Sequence, residues 1–407
     1  MTSTVVADVR PWGGPASDVT LTDGRISGIH PAGTKPLDPG AGRVEGRGRI
    51  LLPSFADVHV HLDSTRIGLP FRPHTGVPGV WGMMLNDRDN WRHAERSIEH
   101  RVATTLESAI ARGTTQVRTY AQVDVDAGME RLDAVLAARE ANLDRCEVEI
   151  IAFPQAGLLR EAGSIDVLEA AMARGADVVG GIDPCALDRD PVRHLDAVFA
   201  IAERHGAPID IHLHEPDQLA KFSTELIIER TRALDMRGRV TISHGYGLAR
   251  LPEKELRALL EEFRDLGISM ATVAPQAPLP TRLLDEYDIA LGLGQDGQRD
   301  YWSPYGNTDM LDRTWQLAFT NGFRRDEDIE HCVAIATVGG RAVMGRAAMP
   351  AHGAERPGLA VGDPADLVVV AGDTVTAAVM DRLNDRTVLF RGSVVADALE
   401  LTEGSRA

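Results

Sequence analysis

The sequence predicts a (β/α)8 TIM barrel with a small β-sandwich domain formed from both termini. Eight short apolar runs rich in β-branched residues alternate with longer stretches of helical periodicity, which is typical of repeated βα units around a parallel sheet. The two ends of the chain lack this alternation and contain short strand-like runs separated by turns. With 407 residues, the chain is long enough for one barrel and an accessory domain.

The eight candidate barrel strands spread over about 250 residues, the size expected of such a barrel. They are predicted at Leu51–His61, Thr114–Asp124, Val148–Gln155, Ala176–Asp183, Pro208–Glu215, Val240–His244, Ile268–Ala274 and Ile289–Asp296. The segments between them have helical spacing. From Glu255 to Leu266, for example, leucine and phenylalanine recur every three or four positions while charged residues fill the other face. We therefore expect an outer ring of helices.

The terminal segments Val5–Gly46 and Leu359–Val395 are rich in turns of the Asp-Gly and Gly-Asp-Pro type between short strands. Neither segment could comfortably close an independent sheet, so we expect the two to pair with each other. The predicted boundaries assign residues 1–54 and 347–407 to the β-sandwich domain and residues 55–346 to the barrel.

Charge and cysteine content limit the classes of partner and compartment. The net charge of −17 disfavours nucleic acid or anionic membrane as a partner, because such binders need a concentrated Lys/Arg surface. Cys146, Cys185 and Cys332 are far apart and odd in number, so we interpret them as reduced, buried thiols. No signal segment or run of about 20 apolar residues is found. We expect a cytoplasmic protein that forms a homo-oligomer and has no nucleic-acid or membrane partner.

Metal-binding residue types occur where four of the predicted strands end, and in a barrel of this kind the active site lies at those ends. His59 and His61 end strand one, and side-chain alternation places both imidazoles on the same face. The other strand ends supply His212, His214 and Glu215 (strand five), His244 (strand six) and Asp296 (strand eight).

Three neutral imidazoles and a carboxylate suit one borderline divalent cation such as Zn²⁺, with a position left open for water. We assign His59, His61, His212 and Asp296 as the ligands. Metal binding would lower the pKa of a water molecule to about 7.

The remaining polar residues are given roles in moving protons. Glu215 is predicted to carry a proton from the water to a substrate nitrogen. His244 is predicted to hold the water or to polarise the developing oxyanion, and Asp296 to share its carboxylate between the metal and the water. His214 is assigned to the substrate side, although it could merely fill the mouth of the barrel.

At His59-Val-His61-Leu-Asp63 the sequence resembles the amidohydrolase superfamily, and the resemblance runs through nearly the whole chain. Segments similar to its cytosine deaminase branch, which includes the N-isopropylammelide aminohydrolases, are Ala152–Gly157, Gly175–Pro184, Ile209–His212 and Trp302–Gly306. The resemblance implies a single Zn²⁺ or Fe²⁺ on the four ligands named above, a catalytic glutamate at Glu215 and a water-activating histidine at His244.

The resemblance also implies that Gln155 binds an amide edge of a ring, since a carboxamide offers both a donor and an acceptor. Trp302 is predicted to line the same pocket and to stack on a planar ring. Alternatives remain open for both residues. Gln155 could cap a helix or bond a loop, and Trp302 could pack beneath its loop.

Two departures from this branch concern the expected ring-facing wall. The branch usually reads Arg-Thr-His-Val-Asp-Val after strand two, whereas this chain has Tyr120 and Gln122 in place of the histidine and the acid. Cytosine deaminases usually have a second acid after the metal aspartate, whereas here Asp296 is followed by Gly297. We expect both changes to alter the wall, which argues against cytosine itself as the substrate.

The leading hypothesis is hydrolytic removal of ammonia or an amine from an amino-substituted, lactam-bearing heterocycle such as a pyrimidine, triazine or pterin. The first alternative is hydrolysis of a cyclic amide or N-acyl bond with the same metal-activated water. The second is a non-catalytic binding protein on a barrel that has lost its activity. The presence of every predicted ligand and of the candidate proton carrier argues against the second alternative.

Overall fold

The computed structural model describes residues 3–34, 40–275, 277–348 and 356–403. Numbered in chain order, the strands are β1 (Ser3–Pro11), β2 (Ser17–Thr22), β3 (Arg25–Pro31), β4 (Gly42–Glu45), β5 (Ile50–Pro53), β6 (Phe55–Val60), β7 (Thr114–Gln122), β8 (Glu147–Phe153), β9 (Val178–Ile182), β10 (Ile209–Leu213), β11 (Val240–His244), β12 (Ser269–Thr272), β13 (Leu291–Leu293), β14 (Leu367–Val370), β15 (Arg386–Phe390), β16 (Ser393–Asp397) and β17 (Glu400–Leu401). The α-helices are α1 (Val80–Asn90), α2 (Ile98–Ala111), α3 (Glu130–Ala141), α4 (Ser164–Arg174), α5 (Pro191–His205), α6 (Asp217–Ala233), α7 (Glu253–Leu266), α8 (Thr281–Glu286), α9 (Met310–Thr320), α10 (Asp326–Ala334), α11 (Gly340–Val343) and α12 (Val375–Asp381).

Strands β6 to β13 form the barrel in chain order, and neighbouring strands are parallel. They coincide with the eight predicted strands to within a few residues, so the predicted (β/α)8 TIM barrel is confirmed. The ring closes just beyond β13, where the backbone N–H of Asp296 donates to the carbonyl of His59 at 2.7 Å and Val60 pairs with Asp296. Closure thus brings Asp296 next to the histidines that end β6.

A glycine permits this close approach of β13 to β6. A Cβ on Gly294 would overlap the Cβ of His59 and lie 2.6 Å from the His59 carbonyl oxygen. Any other residue at this position would therefore push the two strands apart at the level of the histidines.

The remaining nine strands form an accessory sheet from both ends of the chain, in the order β17-β16-β15-β14-β5-β1-β2-β3, with β4 paired to β1. The two ends meet where β14 runs antiparallel to β5, with Leu367 opposite Pro53. β1 connects the two parts of this sheet, because its first residues pair with β2 and β4 and its last residues pair with β5. The predicted accessory β domain built from both termini is confirmed, while its boundaries at residues 54 and 347 stay a prediction.

The first predicted strand, Leu51–His61, is two strands in the structure. At Ser54 the chain leaves β14 and joins β7: the Ser54 N–H donates to the carbonyl of Asp366, and the next N–H donates to that of Gly113. Because every residue from 50 to 60 is buried, no alternation of exposure marks the change of sheet.

The outer helices show the amphipathic pattern expected of them. In α7 the buried residues are Leu256, Leu259, Leu260, Phe263 and Leu266, which form one stripe. The helix ends at Gly267, whose φ of 63° is the left-handed conformation that favours glycine at this position. None of the helices in the described part of the chain is long and apolar enough to cross a membrane. The homo-oligomer stays a prediction.

Candidate active site

Four histidines and one aspartate converge at the mouth of the barrel. The Nε2 atoms of His59 and His61 lie 3.6 Å and 3.4 Å from Oδ1 of Asp296. Nε2 of His61 also lies 3.4 Å from Nε2 of His212. The ligand atoms of His59, His61 and His212 are all within 4.8 Å of one another, as are those of His59, His244 and Asp296. The four predicted ligands therefore share one site, with His244 beside them.

The chemistry of this donor set fits one divalent cation. Among the described residues, the buried Nε2 of His59 has no hydrogen-bond partner and is free to coordinate. Burial lowers the pKa of His61 to about 4 and the pKa of His212 well below its usual value, so both imidazoles are neutral at pH 7. Burial opposes ionisation of Asp296, but the contact with His59 and the proximity of His244 hold its pKa well below the usual range. Neutral imidazoles and a carboxylate are ligands that suit Zn²⁺ or Fe²⁺.

A buried polar network lies behind His59. The Tyr120 hydroxyl is 3.0 Å from Nδ1 of His59, 3.0 Å from Oδ1 of Asp210 and 2.9 Å from Oγ of Ser243. The Ser243 hydroxyl also donates to Asp210 at 2.6 Å. When the Tyr120 hydroxyl donates to Asp210, it can accept the Nδ1–H of His59, which leaves the Nε2 lone pair directed at the metal position.

This network corrects the expectation that the change at strand two alters the ring-facing wall. Tyr120 is fully buried, and neither it nor Gln122 belongs to the lining of the cavity at the barrel mouth. The reason is that β7 continues to Gln122, so Tyr120 lies two residues before the strand ends, below the mouth. The side-chain amide of Gln122 instead donates to Asp124 at 2.6 Å. Gly297, the other departure, does line the cavity.

Four of the metal-site residues, His61, His212, His244 and Asp296, form part of the lining of a cavity of about 350 Å³. Its apolar wall contains Val80, Met83, Phe153 and Ile182. The ring of Phe153 stacks on that of His212 with centroids 4.2 Å apart. A cavity of this size with an apolar wall and a few polar groups suits a small ring compound.

The three residues predicted to contact substrate, Gln155, His214 and Trp302, all lie in the cavity lining. Gln155 is 5% exposed, and the indole Nε1 of Trp302 is buried with no hydrogen-bond partner among the described residues. Their roles toward a substrate stay predictions.

His214 is held by a carboxylate that the sequence analysis did not single out. Asp183 accepts the backbone N–H of His214 at 2.7 Å on one oxygen, and its other oxygen lies 2.8 Å from Nδ1 of the ring. Burial lowers the pKa of His214, but the Asp183 carboxylate outweighs burial and raises it. The position of Asp183 at the end of β9, in a Gly-Gly-Ile-Asp-Pro run, was the available signal.

Glu215, the predicted proton carrier, lies beside this pair and does not line the cavity. One carboxylate oxygen accepts the backbone N–H groups of Cys185 and Ala186 at 2.7 Å and 2.8 Å, and the other accepts the Ser223 hydroxyl. Burial raises its pKa, against the effect of these hydrogen bonds. The cavity surface at this strand end is therefore formed by His214.

A second carboxylate that the sequence analysis missed, Asp300, lies in the cavity lining four residues after Asp296. One of its oxygens accepts the backbone N–H groups of Trp302 and Ser303, both at 2.8 Å, and the other accepts the Ser64 hydroxyl at 3.2 Å. Burial raises the pKa of Asp300 to about 7. It lies two residues before the Trp302–Gly306 segment, one of those in which the family resemblance was found.

Comparison with known proteins settles the family. A model described as the amidohydrolase family matches residues 80–396, most of the chain. The chain belongs to the amidohydrolase family. The crystal structure of an N-isopropylammelide isopropylaminohydrolase from Burkholderia multivorans superimposes with a TM-score of 0.91 at 36% identity, covering 99% of this chain and 100% of that one. The family predicted from the sequence is confirmed.

Two curated relatives are similar along most of their length. N-isopropylammelide isopropyl amidohydrolase of Pseudomonas sp. (strain ADP) is 28% identical over 361 residues, which are 86% of this chain and 87% of that protein. Pterin deaminase of Rhizobium rhizogenes is 27% identical and covers 94% of this chain and 88% of its own length. One relative is named as an amidohydrolase that acts on N-isopropylammelide and the other as a deaminase that acts on pterin, in agreement with the predicted branch.

Proposed function

We propose that this amidohydrolase is a metal-dependent aminohydrolase that removes ammonia or an amine from a small, lactam-bearing pyrimidine, triazine or pterin. The observation that carries the proposal is the convergence of His59, His61, His212 and Asp296 at one site, of which His61, His212 and Asp296 line a cavity that also contains Gln155. The relatives named for N-isopropylammelide and pterin support a heterocyclic substrate.

The same four residues would hold one Zn²⁺ or Fe²⁺. The bound cation would supply a water molecule whose pKa is lowered to about 7, and hence a nucleophile at neutral pH. The protein contributes the orientation of the ligands. His59 is fixed through its Nδ1 by Tyr120, which favours the tautomer with a free Nε2.

Ring binding is assigned to Gln155 and Trp302. A carboxamide can donate to a ring carbonyl and accept from a ring N–H at the same time, so Gln155 suits a lactam edge. The indole of Trp302 offers a planar face for stacking and an N–H without a partner among the described residues. With the apolar wall, these groups would orient the ring and exclude bulk water from the reacting carbon.

Proton transfer is assigned to Glu215 and His244. Glu215 would take one proton from the attacking water and deliver it to a ring nitrogen, and would then pass the second proton of that water to the departing amine. Because the Glu215 carboxylate does not line the cavity, a proton can reach the substrate in one of two ways. Either the Glu215 side chain rotates into the cavity, or His214 relays the proton. What supports a role for His244 is its buried Nε2, which has no partner in the described part of the chain, and a ring nitrogen within 4.8 Å of the ligand atom of Asp296.

A panel of aminopyrimidines, aminotriazines and pterins, assayed for ammonia and alkylamine release, tests the proposal directly. Metal content by atomic emission and mass spectrometry of the products complete the measurement. Release of amine with the ring intact supports the proposal. Ring opening without amine release would favour hydrolysis of a cyclic amide, and purified protein that neither contains nor binds a divalent metal would contradict both.

A further inference from the structure

Asp300 is a buried carboxylate in the cavity lining that has no cationic partner among the described residues. It is 8% exposed, and no Arg, Lys or His within the described ranges forms an ion pair with it. By contrast, Asp63 and Asp87 both contact Arg131, and Asp210 lies 3.3 Å from Arg118. A buried carboxylate is costly unless its charge is compensated. Burial accordingly raises the pKa of Asp300 to about 7, and a hydrogen-bond donor from outside the chain would favour the ionised carboxylate.

The hydrogen bonds of Asp300 leave capacity on one oxygen. Oδ1 is occupied by the two backbone N–H groups of Trp302 and Ser303, which fix the carboxylate in the loop. Oδ2 accepts only the hydroxyl of Ser64, at 3.2 Å, among the described residues. Since a carboxylate oxygen accepts two hydrogen bonds, Oδ2 can accept another one.

A glycine leaves room for this free oxygen beside the metal-site loop. A Cβ on Gly297 would overlap Oδ2 of Asp300, so the carboxylate occupies the space that a side chain at position 297 would fill. Gly297 directly follows Asp296, and all three residues line the cavity. Oδ2 is therefore held next to the backbone of the metal-site loop, within the same cavity as the metal ligands.

We propose that Oδ2 of Asp300 accepts a hydrogen bond from an N–H of the substrate ring and thereby selects rings that carry this donor over N-methylated and anionic rings. The proposal rests on the proposed function, since it takes the cavity as the substrate site. Two residues would then recognise the ring. Gln155 would hydrogen-bond an edge that carries both a donor and an acceptor, and Asp300 would accept from a single N–H. The substrate class is a neutral or cationic ring with at least two polar edges.

Calorimetric binding of matched ring pairs to the metal-loaded protein tests this without requiring turnover. The probes are uracil with 1-methyluracil and 3-methyluracil, and pterin with its N3-methyl derivative. For the wild-type protein we expect at least one N–H ring to bind ten-fold or more tightly than its methylated partner, because an unpaired buried acceptor penalises the analogue. Asp300→Asn, which turns an acceptor into a donor, should reduce this ratio to about one or reverse it.

Controls separate recognition from folding. Ser64→Ala keeps the carboxylate and should retain the preference for N–H rings, whereas loss of the preference in this variant would assign selection to the hydroxyl and overturn the proposal. Metal content and the thermal midpoint of Asp300→Asn should match the wild type. An equal loss of affinity for both members of each pair, or no discrimination by the wild type, would also overturn it. The proposed function fails separately, on the absence of amine release from the substrate panel.

Discussion

The hydroxyl of Tyr120 lies 3.0 Å from Nδ1 of His59, while Nε2 of the same ring lies 3.6 Å from the carboxylate of Asp296. The two ring nitrogens thus face different partners, one in the barrel interior and one in the metal site. Partners of this kind fix the tautomer and orientation of a metal-binding histidine. Tyr120 is itself held by Asp210 and Ser243, so the orientation is set by residues from three further strands.

Tyr120→Phe should weaken metal binding by about 10–100-fold while leaving the fold intact. The variant removes only the hydroxyl, and Ser243 still donates to Asp210. Competition with a chromophoric chelator measures the affinity. Tyr246→Phe is the matched control, because the Tyr246 hydroxyl lies 3.2 Å from Nδ1 of His244, which is not assigned as a ligand. Equal metal affinities in the wild type and in Tyr120→Phe would show that the hydroxyl does not support the site.

Removal of the metal should abolish activity and lower thermal stability. A ligand that binds only the folded state stabilises it in proportion to the logarithm of its concentration, so the thermal midpoint should rise as Zn²⁺ or Fe²⁺ is returned to the apoprotein. His212→Asn should lose both the metal and this response. His100→Asn, at an exposed position on α2, serves as the control and should behave like the wild type. A His212→Asn variant that keeps a full complement of metal would remove His212 from the ligand set.

A buried ion pair should contribute to the attachment of the accessory sheet to the barrel. Arg386 on β15 forms two hydrogen bonds of 2.8 Å to Asp309, whose carboxylate also caps the first turn of α9. Arg386→Met leaves Asp309 without its partner, and breaking a buried pair in this way costs about 3–5 kcal/mol. Denaturant unfolding should show a lower midpoint, whereas disruption of the exposed pair between Arg174 and Asp133 by Arg174→Met should leave it nearly unchanged. Similar midpoints for the two variants would contradict this ranking.

Much of the fold follows from local patterns in the sequence. Each barrel strand is a short apolar run, and the residues that end the runs are visible in the sequence. Because the carboxyl ends of all the strands lie at one face of a closed barrel, the convergence of His59, His61, His212 and Asp296 could be inferred from the sequence. The division at Ser54 could not be inferred, because a strand buried on both faces has no alternation to show where it changes partner.

Support residues were harder to predict than ligands. The contacts of Asp183 with His214 and of Tyr120 with His59 join residues 31 and 61 positions apart. The position of Asp183 at a strand end is visible in the sequence, but the partner of neither residue is. The position of the Asp300 carboxylate depends on its hydrogen bonds to the backbone of its own loop and on the absence of a side chain at Gly297. Such contacts follow from loop geometry and from the register of adjacent strands, which periodicity does not determine.

Gln155→Ala and Trp302→Ala should each impair substrate binding more than metal retention. Loss of the carboxamide leaves polar atoms of the ring edge unpaired, and loss of the indole removes a stacking surface, so we expect KM to rise about ten-fold or more in each variant. Steady-state kinetics with the best substrate of the panel, together with metal analysis, provide the measurement. Exposed Phe319→Ala, on α9, is the control. Unchanged KM and kcat in both cavity variants would refute the assignment of these residues to the substrate.

The proton carrier can be decided by comparing Glu215→Gln with His214→Asn. If Glu215 moves the proton, Glu215→Gln should lower kcat by about 10²–10⁴-fold and retain the metal, because ligation rests on other residues. Its fold should persist, since a carboxamide oxygen can still accept the N–H groups of Cys185 and Ala186.

In that case His214→Asn should have the smaller effect on kcat, since it would remove at most a relay between Glu215 and the ring. The opposite order, with near-normal kcat in Glu215→Gln and a large loss in His214→Asn, would transfer the role to His214, which lines the cavity and is held by Asp183. Loss of the metal from Glu215→Gln would instead make Glu215 a support of the metal site. The comparison is needed because His214 lines the cavity, whereas the Glu215 carboxylate would reach the substrate only by a side-chain rotation or through a relay.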